Sequence, residues 1–375
     1  MTQYSLEATN DNRINWIDTA RCLGLCLILF CHIPPRYGSF HDLIYCFHVP
    51  MFFILSGIFL KDGISLNSIW HSFKRLIIPY FIYNIVLQLI LCAYTITHGG
   101  NPLPGLIEST MGALIGSSKI ESPWHLLAGP SWFLPALFIA RFVAQISIRI
   151  LNCATNKILT TIFIGLALFG LYYWPHTHLD WCFWSFDAAI LGAYFIIFGH
   201  LMRSFFLKIG MLPIYTKISL FVIAGIALWF LNINGTANMF RGEYGNRIDL
   251  FFINGIIGTI AICALSAIVS LPKIMTALFT KGAIFFICAH VFIMDYVSLI
   301  YVRLSGRTWD FDTADKLIVA SCTILCFIAI AAILRALNPK LLRWAATFLV
   351  KHIAYTIVGD CCTTSYIEMS YTRLM

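Results

Sequence analysis

Charge is what this sequence lacks most. Asp, Glu, Lys and Arg make up 11% of its 375 residues, against about 25% in an ordinary soluble domain. A chain so poor in charge does not have water as its main solvent. A removable signal peptide is not expected either: the start, MTQYSLEATNDNRINW, is polar, with no basic stretch leading into an uncharged core and a small-residue cleavage site. The 13 cysteines include no paired CxxC spacing for zinc and no short secreted framework. Several, such as Cys22, Cys26 and Cys31, sit inside apolar runs and read as small buried residues. The net charge of +8 is spread over short segments between apolar runs and forms no basic stripe, which argues against a nucleic-acid partner. No convincing duplication relates the two halves of the chain.

What is abundant is apolar sequence of membrane-spanning length. Hydrophobic residues account for 59%, with 31 Phe and 10 Trp. Runs near the ~20 residues that cross a bilayer recur over 16–33, 43–60, 77–97, 132–150, 158–174, 186–202, 216–233, 248–270, 281–302 and 317–337. The expected fold is all-α, a polytopic transmembrane bundle of about ten helices. Sixteen of the 25 Lys and Arg residues then fall on the side of the termini, seven on the other, and Arg21 and Arg141 inside spans. The positive-inside rule therefore puts both termini in the cytoplasm.

The expected organisation is a cytoplasmic tail over 1–15, a membrane domain over 16–337 and a C-terminal segment over 338–375. Within the last, 341–358 holds Arg343, Lys351 and His352 and reads as an interfacial amphipathic helix or an eleventh span. The longest connection, 98–131, carries Pro102, Pro104, Pro123 and Pro130 and is expected outside as a shaped loop. It either caps a cavity or serves as a plain connector.

The first span, WIDTARCLGLCLILFCHIPP, holds Asp18, Arg21 and His32 where apolar residues would be cheaper. Intramembrane charge costs about 2.5–3.5 kcal/mol even on the forgiving insertion scale, so such residues point to function. Arg21 and His32 are eleven positions apart, within ~20° of three whole turns and ~16 Å along the axis. They share a face, one near the cytoplasm and one toward the outside. Asp18, three before Arg21, is at pairing distance from it and ~21 Å from His32, too far to orient that ring. Taken singly, Arg21 also reads as a snorkelling side chain and His32 as a satisfied bundle histidine. In the second span, His48 precedes Pro50 by two, so a proline kink is expected there and His48 is expected near His32.

Four segments together resemble the acyltransferase-3 family of integral membrane acyltransferases, and within it the branch of fucose 4-O-acetylases. They are RINWIDTARCLGLCLILFCH (13–32), YCFHVPMFFILSGIFL (45–60), KRLIIPY (74–80) and GPSWFLPALF (129–138). The family's Arg, ten residues, His pattern falls on Arg21 and His32, and its Phe-His-x-Pro run on Phe47 to Pro50. Weaker matches over 186–202 and 281–295 extend the resemblance to almost the whole chain. It implies an acyl-CoA donor entering from the cytoplasm, a sugar or polysaccharide acceptor on the outer face, and the first-helix histidine as the essential base. It also implies a multi-pass enzyme of a bacterial inner membrane, acting among membrane lipids on a surface polysaccharide or its lipid-linked precursor.

Each candidate residue has a role by its chemistry. His32 suits the general base, since bases work best with a pKa near ambient pH. Arg21, Lys74 and Arg75 suit the donor's phosphates, although Lys74 and Arg75 read as well as topology residues. His48 and Trp132 are candidate donors to a developing oxyanion, and aromatics near Trp132 suit stacking on sugar rings. Trp132 reads also as an interfacial belt residue. Asp187 and His290, inside later spans, are placed to orient His32 or to bind the acceptor. His176 and His178, with Asp180 nearby, make no convincing metal site; they are expected in a solvated outer loop, and no metal is expected. The alternative reading is a transporter or flippase for a small anion or lipid-linked sugar, because buried charges and broken helices also mark transport pathways.

Overall fold

The computed structural model describes residues 15–336, apart from 62, 117–128, 273–274, 277–278 and 281. Residues 1–14 and 337–375, with the expected tail and amphipathic segment, lie outside the described residues. The chain forms α1 (Asn15–His32), α2 (Ser39–Tyr45), α3 (His48–Ile58), α4 (Leu66–Thr97), α5 (Leu103–Ile115), α6 (Phe133–Cys153) and α7 (Lys157–His178). It continues through α8 (Phe186–Leu201), α9 (Arg203–Ile209), α10 (Ile214–Leu231), α11 (Ile248–Ser266), α12 (Ala283–Ser305) and α13 (Thr313–Ala336). The only sheet among the described residues is a hairpin of β1 (Ala237–Asn238) and β2 (Glu243–Tyr244) between α10 and α11. Helix dominates because a bilayer core offers no other partner to backbone N–H and C=O groups.

All ten expected spans coincide with helical segments. Nine stretches among the described residues are long and apolar enough to cross a membrane. The tenth, α1, which carries Asp18, Arg21 and His32, is not among them. Two compact units divide the chain, Met1–Thr323 and Ile324–Met375, and α1 to α12 with the hairpin belong to the first.

Three local expectations need correction. The 98–131 connection is not simply a loop: α5 occupies thirteen of its residues. Pro102 and Pro104 start that helix instead of breaking it, because a first-turn residue has no N–H to give up. Pro50 makes no kink within a helix. The second span is instead interrupted at Cys46–Phe47, and Pro50 sits in the first turn of α3, where its missing N–H again costs nothing. Finally, α4 runs for 32 residues, starting eleven before the expected 77. A capping box between Ser65 and Ser68 nucleates it, so Lys74 and Arg75 lie on a helix and not in a loop.

Glycine seams hold the centre together. A Cβ on Gly57 of α3 would overlap the carbonyl of Ile196 in α8, and one on Gly199 of α8 would overlap the carbonyl of Ile54 in α3. The two backbones therefore touch with no side chain between them, as small residues permit in membrane helices. On another side, Gly255 and Gly258 of α11 leave room for Pro50 and Phe47 at the start of α3. The short helix α3 is thus enclosed by α8 and α11, and its first residue, His48, is fixed in place. By contrast α7 and α10 leave most of their apolar length uncovered, as lipid-facing helices do.

Candidate active site

Three histidines are prepared in the same way. His32 Nδ1 bonds the Ile28 carbonyl at 2.9 Å, His48 Nδ1 the Ile44 carbonyl at 3.1 Å, and His290 Nδ1 the Phe286 carbonyl at 2.9 Å. A carbonyl oxygen only accepts, so each Nδ1 carries a proton and the neutral ring keeps its lone pair on Nε2. For His48 the acceptor belongs to the last turn of α2, where the Ile44 carbonyl also accepts from the Phe47 N–H at 3.2 Å. The bond thus ties the first residue of α3 back across the interruption of the second span.

The rings gather around Tyr45. Its ring lies 4.0 Å from that of His41, 4.7 Å from His48 and 6.0 Å from His32, centroid to centroid. His32 and His290 meet edge to face at 5.1 Å. All line one cavity of about 340 Å³, at the lower end of the range for small-molecule sites. Trp132 closes another side. Arg36 straps the end of α1: its Nε donates to the His32 carbonyl at 2.7 Å, and its Nη2 lies 3.5 Å from Asp295 of α12. The His290 Nε2 is buried and lacks any hydrogen-bond partner among the described residues, a state that costs free energy until something donates to it.

Four of the residues singled out in the sequence thus meet: His32, His48, His290 and Trp132. The others lie elsewhere. Arg21 pairs with Asp18 at 3.1 Å and stands 5.4 Å over the Phe59 ring at the end of α3. Three residues earlier, Ser56 of α3 accepts from Arg141 at 2.6 Å, so two guanidinium groups attend one end of this helix. Lys74 stands 5.4 Å over the Trp70 ring, and both Lys74 and Arg75 are exposed. Asp187 is not beside His32: it starts α8 and lies 3.3 Å from Nδ1 of His176. His176 and His178 correct a second expectation, for they form the last turn of α7 and not a solvated loop. His176 stacks on Tyr172 at 4.9 Å. Among the described residues no three His, Cys, Asp or Glu side chains are placed to hold a metal ion.

Sequence reasoning missed His41, Tyr45, Arg36 and the hairpin. The hairpin contributes Thr236, Asn238, Met239, Phe240, Arg241 and Glu243 to the cavity wall. Buried Asn234 locks its base, donating from Nδ2 to the Tyr244 carbonyl at 3.0 Å and accepting from the Arg247 N–H at 2.8 Å. Tyr244 anchors it further, packing on Tyr172, His176 and Phe251. Burial, and then the nearby Asp187 charge, push its hydroxyl well above the usual tyrosine range, so it stays neutral. Gly245 has φ +73°, and a Cβ there would overlap the Asn234 amide. Gly245→Ala is therefore expected to free the hairpin, seen as new tryptic cleavage after Arg241 in folded protein; unchanged resistance would show that Asn234 is not the lock.

The chain matches the sequence profile of the acyltransferase-3 acyltransferase domain over residues 14–336. The match is to the family as a whole and assigns no branch within it. No curated protein and no solved structure gives a significant match. With nearly its whole length covered, this multi-pass chain belongs to the acyltransferase-3 family of integral membrane acyltransferases.

Proposed function

We propose that this acyltransferase moves an acyl group, acetyl in the simplest case, from acyl-CoA to a sugar hydroxyl of a cell-surface polysaccharide or its lipid-linked precursor. The setting would be a bacterial inner membrane. The observation that carries the reading is His32, tied through Nδ1 to its own helix and facing a cavity with the other nitrogen.

In this mechanism His32 Nε2 takes the proton of the acceptor hydroxyl while that oxygen bonds to the thioester carbonyl carbon. The tetrahedral intermediate collapses by breaking the carbon–sulfur bond, and the CoA thiolate leaves with the proton returned by the imidazolium. The oxyanion needs a donor in the interim. His48 serves poorly as a neutral ring, because its only N–H is committed to Ile44. The indole N–H of Trp132, which lines the same cavity, is assigned that role. His290 is left to accept from the acceptor sugar, its buried Nε2 lacking a donor.

Arg21, with Lys74 and Arg75 behind it, is assigned to the donor's phosphates. The ~16 Å between Arg21 and His32 along α1 is of the order of an extended pantetheine arm, so phosphates at one end let a thioester reach the other. The cavity lies at the end of α1 that charge counting places outside, where a surface glycan is found.

The test is transfer of label from radioactive acetyl-CoA into glycan by membranes holding the full chain. Wild type incorporates label, and Arg21→Ala raises the donor KM about tenfold, the loss of one charge-assisted contact of ~1.4 kcal/mol. No label in any sample, with lipid-linked glycan crossing the membrane in a His32-dependent way, would replace the enzyme reading by the transporter.

A further inference from the structure

The cavity lining carries two unlike groups of side chains, and the contrast points to what fits among them. One group is polar: His32, His48 and His290 each have Nδ1 committed to a carbonyl, and each keeps Nε2 for another partner. The buried His290 Nε2 in particular lacks a donor among the described residues. The other group is aromatic and comes from the connections between helices. Phe240 at the hairpin tip and Trp132, the last residue of the 3-10 turn Gly129–Trp132, lie 6.1 Å apart, with ring planes 49° to each other. Beyond Phe240 the rim carries Arg241 and Glu243, both exposed and neither in an ion pair among the described residues.

The hairpin holds Phe240 by design of its own turn. The Phe240 N–H donates to Asn238 Oδ1 at 3.1 Å, and the Arg241 N–H donates to the Asn238 carbonyl at 3.0 Å. Gly242, at φ +73°, turns the chain back into β2. With Asn234 locking the base, the tip is a fixed wall and not a loose loop.

We propose that the hairpin tip and Trp132 form the acceptor subsite, and that its ligand is a single pyranose ring at the end of a glycan or on a lipid carrier. This rests on the acyl-transfer reading and adds to it. The ring lays an apolar C–H face on Phe240 and Trp132, as aromatic side chains accept flat apolar surfaces. Its hydroxyls turn toward the histidines, donating to His290 Nε2 and presenting one oxygen to His32. A cavity of about 340 Å³ admits one such ring with the acyl group and leaves the rest of the glycan to pass over Arg241 and Glu243. An open-chain polyol has the hydroxyls but no rigid apolar face, so it lacks half of the match.

Two measurements on purified full-length protein test this. Saturation-transfer NMR with a panel of methyl pyranosides, and sorbitol as the open-chain control, reads binding without turnover. Steady-state transfer from acetyl-CoA to the same compounds reads donor and acceptor KM separately. Ring C–H signals are expected for at least one pyranoside and not for sorbitol. Phe240→Ala is expected to lose them and to raise the acceptor KM about tenfold, the order of one aromatic contact, with the donor KM within twofold. Phe240→Trp, which restores a flat ring, is expected to recover both, which a variant that merely misfolds would not. Unaltered pyranoside signals in Phe240→Ala, or sorbitol used as well as pyranosides, would overturn the proposal. Pyranoside signals dependent on Phe240 without any transfer would uphold the subsite and sink acyl transfer to sugars.

Discussion

Replacing His32 by alanine is expected to reduce acyl transfer by about 10²–10⁴-fold, the usual contribution of a positioned general base. The reason lies in how the ring is held. Its Nδ1 is tied to Ile28 at 2.9 Å, and Arg36 fixes the carbonyl of His32 itself at 2.7 Å, so ring and backbone are both constrained. Alanine keeps the α1 helix and removes only the imidazole ring, the proposed base. The measurement is turnover of labelled acetyl-CoA at matched protein amounts, with monodispersity in detergent as the check on folding. Activity above a tenth of wild type would move the base to another ring, His290 at 5.1 Å being the nearest histidine to it in the cluster.

Gly57→Ala and Gly199→Ala are each expected to destabilise the bundle by about 1–3 kcal/mol or more, the range for overpacking. Each new Cβ would meet a backbone carbonyl, Ile196 in one case and Ile54 in the other, and backbone cannot swing aside as a side chain does. Separating α3 from α8 would also pull His48 from its place against Ile44. The contrasting variant is Gly225→Ala in α10, where a Cβ would meet nothing within 4 Å and alanine favours the helix by ~0.5–1 kcal/mol. Thermal unfolding in detergent distinguishes them: a large fall for the first two and none for the third. Equal melting of all three would mean that α3 and α8 are not in backbone contact.

The membrane-spanning helices were legible because apolar length is a one-dimensional property, and each expected span has its helix. The first helix was legible for the opposite reason, since Asp18, Arg21 and His32 stand out where the bilayer penalises them. The interruption at Cys46–Phe47 was not, because Pro50 drew the break to itself although a first-turn proline disturbs nothing. A signal did exist: His41, Tyr45 and His48 recur at spacings of four and three, one face of a helix, in the very stretch counted as loop and span boundary. Asp187 shows the limit from the other side. A buried carboxylate attracts attention, yet its partner His176 is eleven residues away at 3.3 Å, and only the fold says which histidine it meets. The hairpin was illegible altogether, since two-residue strands have no period to detect.

The backbone contact between α3 and α8 also bears on how this bundle can move. Alternating access requires one group of helices to rock against another about a central site, and rocking needs a sliding surface. Interlocked glycines offer none: a tilt of either helix drives a carbonyl into the other helix. Since α3 begins with His48, the wall of the cavity that it forms is stationary. On the proposed function, donor and acceptor would then come to this fixed wall from opposite ends. An acyl group alone would cross the bilayer in each cycle.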